Sequence, residues 1–152
     1  MTDAASDVTI TTWARVIRVP QRLLKQVDAD LKAAGCPPLA WYDALLELKR
    51  AGTAGLRPFR LQEQMLLEQY NLSRLLDRIV RSGFAERLAA AEDGRGQVLK
   101  ITAEGRRLIR QMWPIYRAAI QKHFVERLDT KDIAELSRIL GKLRSERGAS
   151  QS

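Results

Sequence analysis

The segment from residue 61 to residue 105 constrains the fold of this chain more than any other stretch. It reads LQEQMLLEQYNLSRLLDRIVRSGFAERLAAAEDGRGQVLKITAEG. Two short helical patterns come first, and Gly83 supplies a stop after the second of them. Two strand-like runs then flank a charged turn that contains glycine. The segment therefore predicts a pair of short helices followed by an antiparallel hairpin.

Helical periodicity continues on the N-terminal side of this segment. Apolar residues recur at helical spacing from residue 10 to residue 31, and Pro20 is expected to kink or divide that helix. A second helix follows, with its apolar residues along one side, and closes at Gly52. Residues 56–59 suggest only a stub of strand, which Pro58 would confine to the edge of a sheet.

The remaining elements follow from the same patterns. We expect helices over residues 60–66, 69–82 and 103–128, a sixth helix whose apolar residues run from Ile133 to Leu143, and strands over residues 84–88 and 97–102. Thr102 is the expected N-cap of the fifth helix, and Asp129 or Thr130 that of the sixth. The predicted fold class is mainly α, an α+β winged helix with six helices and a wing sheet of two to three strands.

The composition favours a polyanionic partner and disfavours most enzyme classes. The 152 residues include 26 Lys plus Arg against 18 Asp plus Glu, a net charge of +8, which suits nucleic acid or an anionic membrane surface. Cys36 is the single cysteine and His123 the single histidine, so we expect no metal site, cofactor or catalytic residues. We interpret Cys36 as an incidental thiol and His123 as a packed or interface histidine.

The chain also carries no sign of a membrane-spanning segment. No apolar segment approaches the roughly 20 residues that a membrane span requires. The N-terminal residues have neither a positive flank nor a long apolar run, so they do not look like a signal peptide. We therefore expect a cytoplasmic protein.

The fourth predicted helix offers a polar flank suited to DNA. Burial of its leucines and Ile79 leaves amide, hydroxyl and guanidinium groups toward solvent, which are the groups that bind base edges and phosphates. A plain solvated face is the alternative, but the adjoining hairpin favours a second DNA contact in the minor groove. The predicted DNA-binding residues are Gln69, Tyr70, Asn71, Ser73, Arg74 and Arg78, with Arg95 at the hairpin tip.

Two acids near this surface have interpretations that stay open. Asp93 supports the wing by holding Arg95 or an arginine of the fourth helix in position, or it only forms the turn. Asp77 pairs with an arginine of its own helix, or it is a solvated acid.

These residues together resemble the MarR family of bacterial transcription regulators. The matching positions are Leu72, Ser73, Arg74, Leu75, Asp77, Arg78 and Gly83 in the helix-turn-helix, and Asp93, Arg95, Thr102 and Gly105 in the wing region. Two positions depart from the pattern: Leu66 stands where a turn glycine is common, and Gly94 replaces a frequent arginine. The resemblance covers nearly the whole chain and implies a sequence-specific double-stranded DNA-binding regulator, usually a repressor.

The resemblance implies one domain over residues 1–152 that assembles as a homodimer. Residues 8–34 and 106–147 would supply the dimerisation helices, and residues 39–105 the winged helix-turn-helix. The long apolar stripes of the terminal helices also favour a dimer, because the small central module cannot cover them; a monomer is the alternative. A two-fold dimer would set its recognition helices about 34 Å apart on a pseudo-palindromic operator. The alternative function is nonspecific nucleic-acid binding or protein–protein contact.

The resemblance further implies that a small aromatic or phenolic effector, or an oxidant, releases the operator. The candidate pocket residues are Trp13, Trp41, Tyr42, Asp43 and Arg87. The alternative is that the tryptophans anchor the core and that Arg87 pairs with Glu86 or with a phosphate.

Overall fold

A computed structural model of the chain describes residues 6–90 and 96–144. These residues form six α-helices and one two-stranded antiparallel sheet, which confirms the mainly α winged-helix class. The elements in chain order are α1 (Asp7–Ala33), α2 (Leu39–Ala51), α3 (Pro58–Gln64), α4 (Leu72–Arg81), β1 (Ala85–Ala89), β2 (Gln97–Ile101), α5 (Ala103–His123) and α6 (Thr130–Leu143). The wing residues Asp93 and Arg95 lie outside the described residues.

α1 is one helix that passes through Pro20 without interruption. Of the two outcomes expected at that residue, division of the helix is therefore wrong. A proline removes a single N–H donor, and the remaining hydrogen bonds of a 27-residue helix hold its two parts together. Ser6 caps the N-terminus by accepting a hydrogen bond from the Thr9 amide at 3.2 Å.

One hydrophobic core joins the end of α1 to the helix-turn-helix, the hairpin and α5. Its fully buried large side chains are Leu31, Leu45, Leu48, Leu61, Leu76, Ile79, Leu99 and Met112. Because these come from six different elements and α4 contacts α3 and β1, the orientation of α4 is set by packing against its neighbours rather than by its own sequence alone.

The segment before α3 forms an isolated bridge where a strand stub was expected. The amide and carbonyl of Leu56 exchange hydrogen bonds of 2.9 and 2.8 Å with Leu99. Pro58 then begins α3 at the first helical position, where its missing N–H costs nothing. α3 therefore starts two residues before the expected position, and the third strand is reduced to this bridge.

α4 begins at Leu72, so the expected start at Gln69 is wrong. The side chain of Asn71 accepts a hydrogen bond from the Arg74 amide at 3.4 Å and makes Asn71 the N-cap. A capping side chain accepts a hydrogen bond from an amide of the first helical turn, which has no partner within the helix. The helix therefore starts directly after the capping residue. Gln69 and Tyr70 consequently belong to the turn that precedes α4.

The hairpin pairs Ala85 with Ile101 and Ala89 with Gln97 in antiparallel register. Thr102 ends it and caps α5, as predicted, by accepting from the Gly105 amide at 3.1 Å. The Thr102 hydroxyl also donates to the Gly83 carbonyl at 2.6 Å. Thr102 thus ties the start of α5 to the glycine that ends the helix-turn-helix.

Of the boundaries of the two C-terminal helices, the end of α5 differs from the one that the sequence predicts. α5 ends at His123 and a 3₁₀ turn, Val125–Arg127, follows, so the expected end near residue 128 is wrong. Nε2 of His123 lies 2.8 Å from Oδ2 of Asp30 on α1, which confirms a packed histidine. Asp129 caps α6 in a reciprocal pair with Asp132, as the first of the two expected caps. No helix in the described part of the chain is long and apolar enough to span a membrane.

Candidate nucleic-acid interface

α4 buries one stripe and presents its polar flank to solvent. Leu75, Leu76 and Ile79 are buried on its inner side. The exposed side chains of the predicted set are Tyr70, Asn71, Ser73, Arg74 and Arg78, whereas Gln69 is half-buried. A ten-residue helix with this division can enter a groove without losing its packing against the core.

The turn that leads into α4 is held from α2 by a buried carboxylate. Asp43 is only 6% exposed, and its two oxygens accept hydrogen bonds from the amides of Leu66 at 2.9 Å and Leu67 at 2.7 Å. The Leu66 side chain itself is 75% exposed. These hydrogen bonds hold the turn although Leu66 stands where the family commonly has a glycine. The contact that holds it is polar and does not involve the Leu66 side chain.

Asp77 forms a contact that neither sequence interpretation contains. Its Oδ1 accepts a hydrogen bond at 2.5 Å from Nη2 of Arg87 on β1, so its partner lies on the hairpin rather than on its own helix. The protein partner of Arg87 is therefore Asp77 and not the expected Glu86. The pair is partly exposed and is worth about 0.2–1 kcal/mol, and it links α4 to β1.

The charge on this surface is positive. Asp77 is neutralised by Arg87, while Arg74 and Arg78 form no ion pair among the residues described. Arg81, in the last turn of α4, is also exposed. Guanidinium groups without a protein partner are free to bind phosphates or guanine edges.

The five candidate effector residues are not brought together by the fold. Trp13 is 66% exposed on α1, and Trp41 packs edge-to-face on Phe84 with ring centroids 6.1 Å apart. Arg87 is engaged with Asp77 on the hairpin. Adjacent residues of a helix point in directions about 100° apart, and this separates Trp41 from its neighbour Tyr42.

Tyr42 and Asp43 do line a common cavity of about 530 Å³ between α2, α5 and the turn before α4. Sequence reasoning missed Glu47, Arg50, Trp113 and Tyr116, which also line it. The signal was present in part, because Asp43, Glu47 and Arg50 follow the spacing of one face of a helix. The ring stack of Tyr42 on Tyr116, at 5.3 Å, joins distant parts of the chain and has no local signature.

The two cavity tyrosines, Tyr42 and Tyr116, should each have a pKa above that of a free tyrosine. Burial raises the pKa of Tyr116, and the negative charge of Asp43 adds to this effect. Burial also raises the pKa of Tyr42, Tyr116 adds to it, and Arg50 acts in the opposite direction. The folded protein therefore holds these protons more tightly than the unfolded chain.

The contribution of these phenols to stability is thus complete below pH 10.0, the ordinary tyrosine pKa, and is lost as pH rises through the folded-state values. A titration of near-ultraviolet phenolate absorbance should show a late component that diminishes in Tyr42→Phe and in Tyr116→Phe. Ionisation of Tyr42 and Tyr116 near pH 10.0 in the folded protein would contradict this prediction.

Comparison with known proteins agrees with this arrangement. A family model described as the MarR family matches residues 37–96. The curated multiple antibiotic resistance protein MarR of Escherichia coli strain K12 is 28% identical over 90 residues, which are 59% of this chain. The match spans 62% of the length of that relative.

Solved structures extend the similarity to almost the full chain. A cysteine-to-serine variant of Escherichia coli MarR complexed with operator DNA matches with a TM-score of 0.76 at 25% identity, over 90% of this chain and 96% of that one. Sco3205, a MarR family transcriptional regulator from Streptomyces coelicolor in complex with DNA, matches with a TM-score of 0.77 at 23% identity, over 94% and 96%. With an N-terminal helix, a helix-turn-helix, a wing hairpin and C-terminal helices in this order, the chain is similar to MarR family winged-helix regulators along nearly its whole length.

Proposed function

We propose that the protein regulates transcription by binding double-stranded DNA sequence-specifically through α4. The observation that carries this proposal is the exposed polar flank of α4, with Arg74 and Arg78 unpaired among the described residues, beside the β1–β2 hairpin. The two DNA-bound structures that this chain is similar to support the same use of the fold. Arg95 would add a minor-groove contact from the wing, with Asp93 in support.

The proposed binding unit is a homodimer joined by residues 8–34 and 106–147, with residues 39–105 as the DNA-binding region. The support is apolar surface on the two terminal helices: Val8, Ile10, Trp13, Val16, Ile17, Val19 and Leu24 on α1, and Ile139, Leu140 and Leu143 on α6, are exposed in the single chain. So many exposed apolar side chains on two helices mark an interaction site, and a second copy of the chain would cover them symmetrically.

We further propose that the dimer is a repressor released by a small molecule. A dimer seated on a promoter blocks access of polymerase, and this gives repression without further contacts. The effector would occupy the cavity that Tyr42 and Asp43 line, beside the turn that leads into α4. A coupling of about 1–3 kcal/mol would change operator affinity roughly 5- to 150-fold.

Selection of duplexes from a random pool with the full-length protein tests sequence-specific binding. The proposal expects enrichment of an inverted repeat whose half-sites lie about one DNA turn, roughly 10 base pairs, apart. Equal retention of all duplexes would instead favour nonspecific coating of nucleic acid. Retention of none would favour a role in protein–protein contact.

Affinity for the selected duplex should fall steeply with salt concentration. A dimer that neutralises on the order of 8 phosphates releases their counterions, so a plot of log affinity against log salt should have a slope near about −7. Fluorescence anisotropy of a labelled duplex over a sodium chloride series measures this slope. A slope near zero would contradict binding to the DNA backbone.

A further inference from the structure

The cavity between α2, α5 and the turn before α4 carries a net negative charge. Asp43 and Glu47 are 6% and 7% exposed, and both line it. Nη1 of Arg50 donates to Oε1 of Glu47 at 2.6 Å and balances that charge. The partners of Asp43 are two neutral backbone amides, which satisfy its oxygens without cancelling its charge.

Aromatic rings also line the cavity. Tyr42 stacks on Tyr116 at 5.3 Å and on Trp113 at 6.3 Å between centroids. The faces of such rings carry negative potential and attract cations, Trp most strongly. The volume of about 530 Å³ lies within the range of small-molecule sites.

An aromatic carboxylate fits this lining poorly. Arg50 is the sole cation among the lining residues, and its charge is already balanced by Glu47. The same anion would lie close to the uncompensated charge of Asp43.

We propose that this cavity binds an organic cation, an amine or amidinium group on an aromatic body. The charged head group would donate to the free lone pairs of Asp43, and the ring would pack on Tyr116 and Trp113. This ligand class differs from the aromatic or phenolic effector that family resemblance implies. A cation that draws the Asp43 carboxylate away from the amides of Leu66 and Leu67 would shift the turn before α4, and this second step rests on the proposed function.

Three ligands of one shape and different charge test the site. Benzamidinium, benzamide and benzoate share a planar ring and differ in the head group, and calorimetric titration of the full chain gives the three affinities. We expect benzamidinium to bind at least about tenfold more tightly than the other two. Equal affinities, or tighter binding of benzoate, would overturn the proposal.

The substitution Arg50→Gln distinguishes a site for cations from a site for acids, because the two kinds of site predict opposite changes in ligand affinity. Arg50 is 65% exposed, and Arg50→Gln frees Glu47 for the ligand, so benzamidinium should bind more tightly to this variant. A site for acids would instead lose benzoate. Arg60→Gln is the matched control, since Arg60 is 61% exposed, pairs with Glu63 three residues away and lies outside the cavity.

Two further variants keep the result independent of any one substitution. Asp43→Asn should reduce benzamidinium affinity to that of benzamide. If that variant fails to fold, Trp113→Leu, at a half-exposed position, should lower benzamidinium affinity several-fold without affecting the turn amides. Unchanged benzamidinium affinity in folded Asp43→Asn, or in Trp113→Leu, would overturn the assignment.

Measurements with the selected duplex distinguish binding of the cation from its effect on DNA binding. Benzamidinium should lower DNA affinity by the same factor by which DNA lowers benzamidinium affinity. Benzamidinium binding without any DNA binding would leave the cation site standing and refute the proposed function. DNA binding that is intact while benzamidinium fails to bind would refute the cation site and leave the proposed function standing.

Discussion

Replacement of Gly105 by alanine should destabilise the fold by about 3 kcal/mol, the largest stability effect of any methyl addition to a described glycine. A Cβ at this position would fall directly on the carbonyl oxygen of Phe84 and within 2.7 Å of Cγ1 of Ile101. Neither can give way easily. The Phe84 carbonyl already accepts from the Thr102 amide at 3.1 Å, and Ile101 is buried in the core.

Denaturant unfolding at fixed protein concentration measures this effect as a lower midpoint at constant slope. Gly141→Ala is the matched control, because it adds the same methyl group in α6 where nothing lies within 4 Å. It should be neutral or stabilising by up to about 1 kcal/mol. Equal midpoints for the two variants would show that α5 does not approach Phe84 as closely as the structure has it.

Arg74→Ala should cause the largest loss of affinity for the selected operator. A bidentate arginine–guanine contact discriminates by about 1–3 kcal/mol, and a dimer would lose it twice, which amounts to roughly 30-fold or more. A random duplex should lose far less, since only a charge near the backbone disappears there. Anisotropy titrations on the two duplexes give the two losses for each variant.

Arg138→Ala provides the control for net charge. Arg138 is an exposed arginine on α6 that pairs with Glu135, away from the α4 surface. Its removal should weaken both duplexes slightly and equally. Equal losses on operator and random duplex for Arg74→Ala would favour nonspecific coating over reading of base edges.

Much of the recognition module could be predicted from local signals. The apolar spacing of Leu75, Leu76 and Ile79 indicates the inner side of α4, and Gly83 marks its end with a φ of +83°. Thr102 and Gly105 form the N-terminus of α5 as their spacing predicts. Each of these features depends on residues within a few positions of one another, and sequence patterns record such short-range physics well.

The errors in the helix bounds come from competition between local signals. Asn71 is a good N-cap, but the apolar and polar pattern extends past it to Gln69, and the cap decides where α4 starts. Pro20 is a strong breaker, but it removes only one N–H donor from a 27-residue helix, and the remaining hydrogen bonds keep α1 continuous.

The contacts that position the site could not be predicted, because they join residues far apart in the chain. Asp43 reaches amides 23 and 24 residues away, and Asp77 pairs with Arg87 across the start of the hairpin. The sequence pattern does place both acids on helices. It does not show which backbone amide or guanidinium group binds each carboxylate in the folded chain. Trp13, Trp41 and Arg87, which the sequence suggested for one effector pocket, lie in separate parts of the single chain. The sequence could not show this, because it does not record which distant residues meet.

The central claim is that the exposed flank of α4 reads base edges in the major groove. Replacing each guanine of the selected operator in turn with its 7-deaza analogue removes the N7 acceptor and leaves Watson–Crick pairing intact. Affinity should fall at one guanine in each half-site, and the loss should vanish in Arg74→Ala. Unchanged affinity at every guanine, in both the wild-type protein and the variant, would contradict the claim.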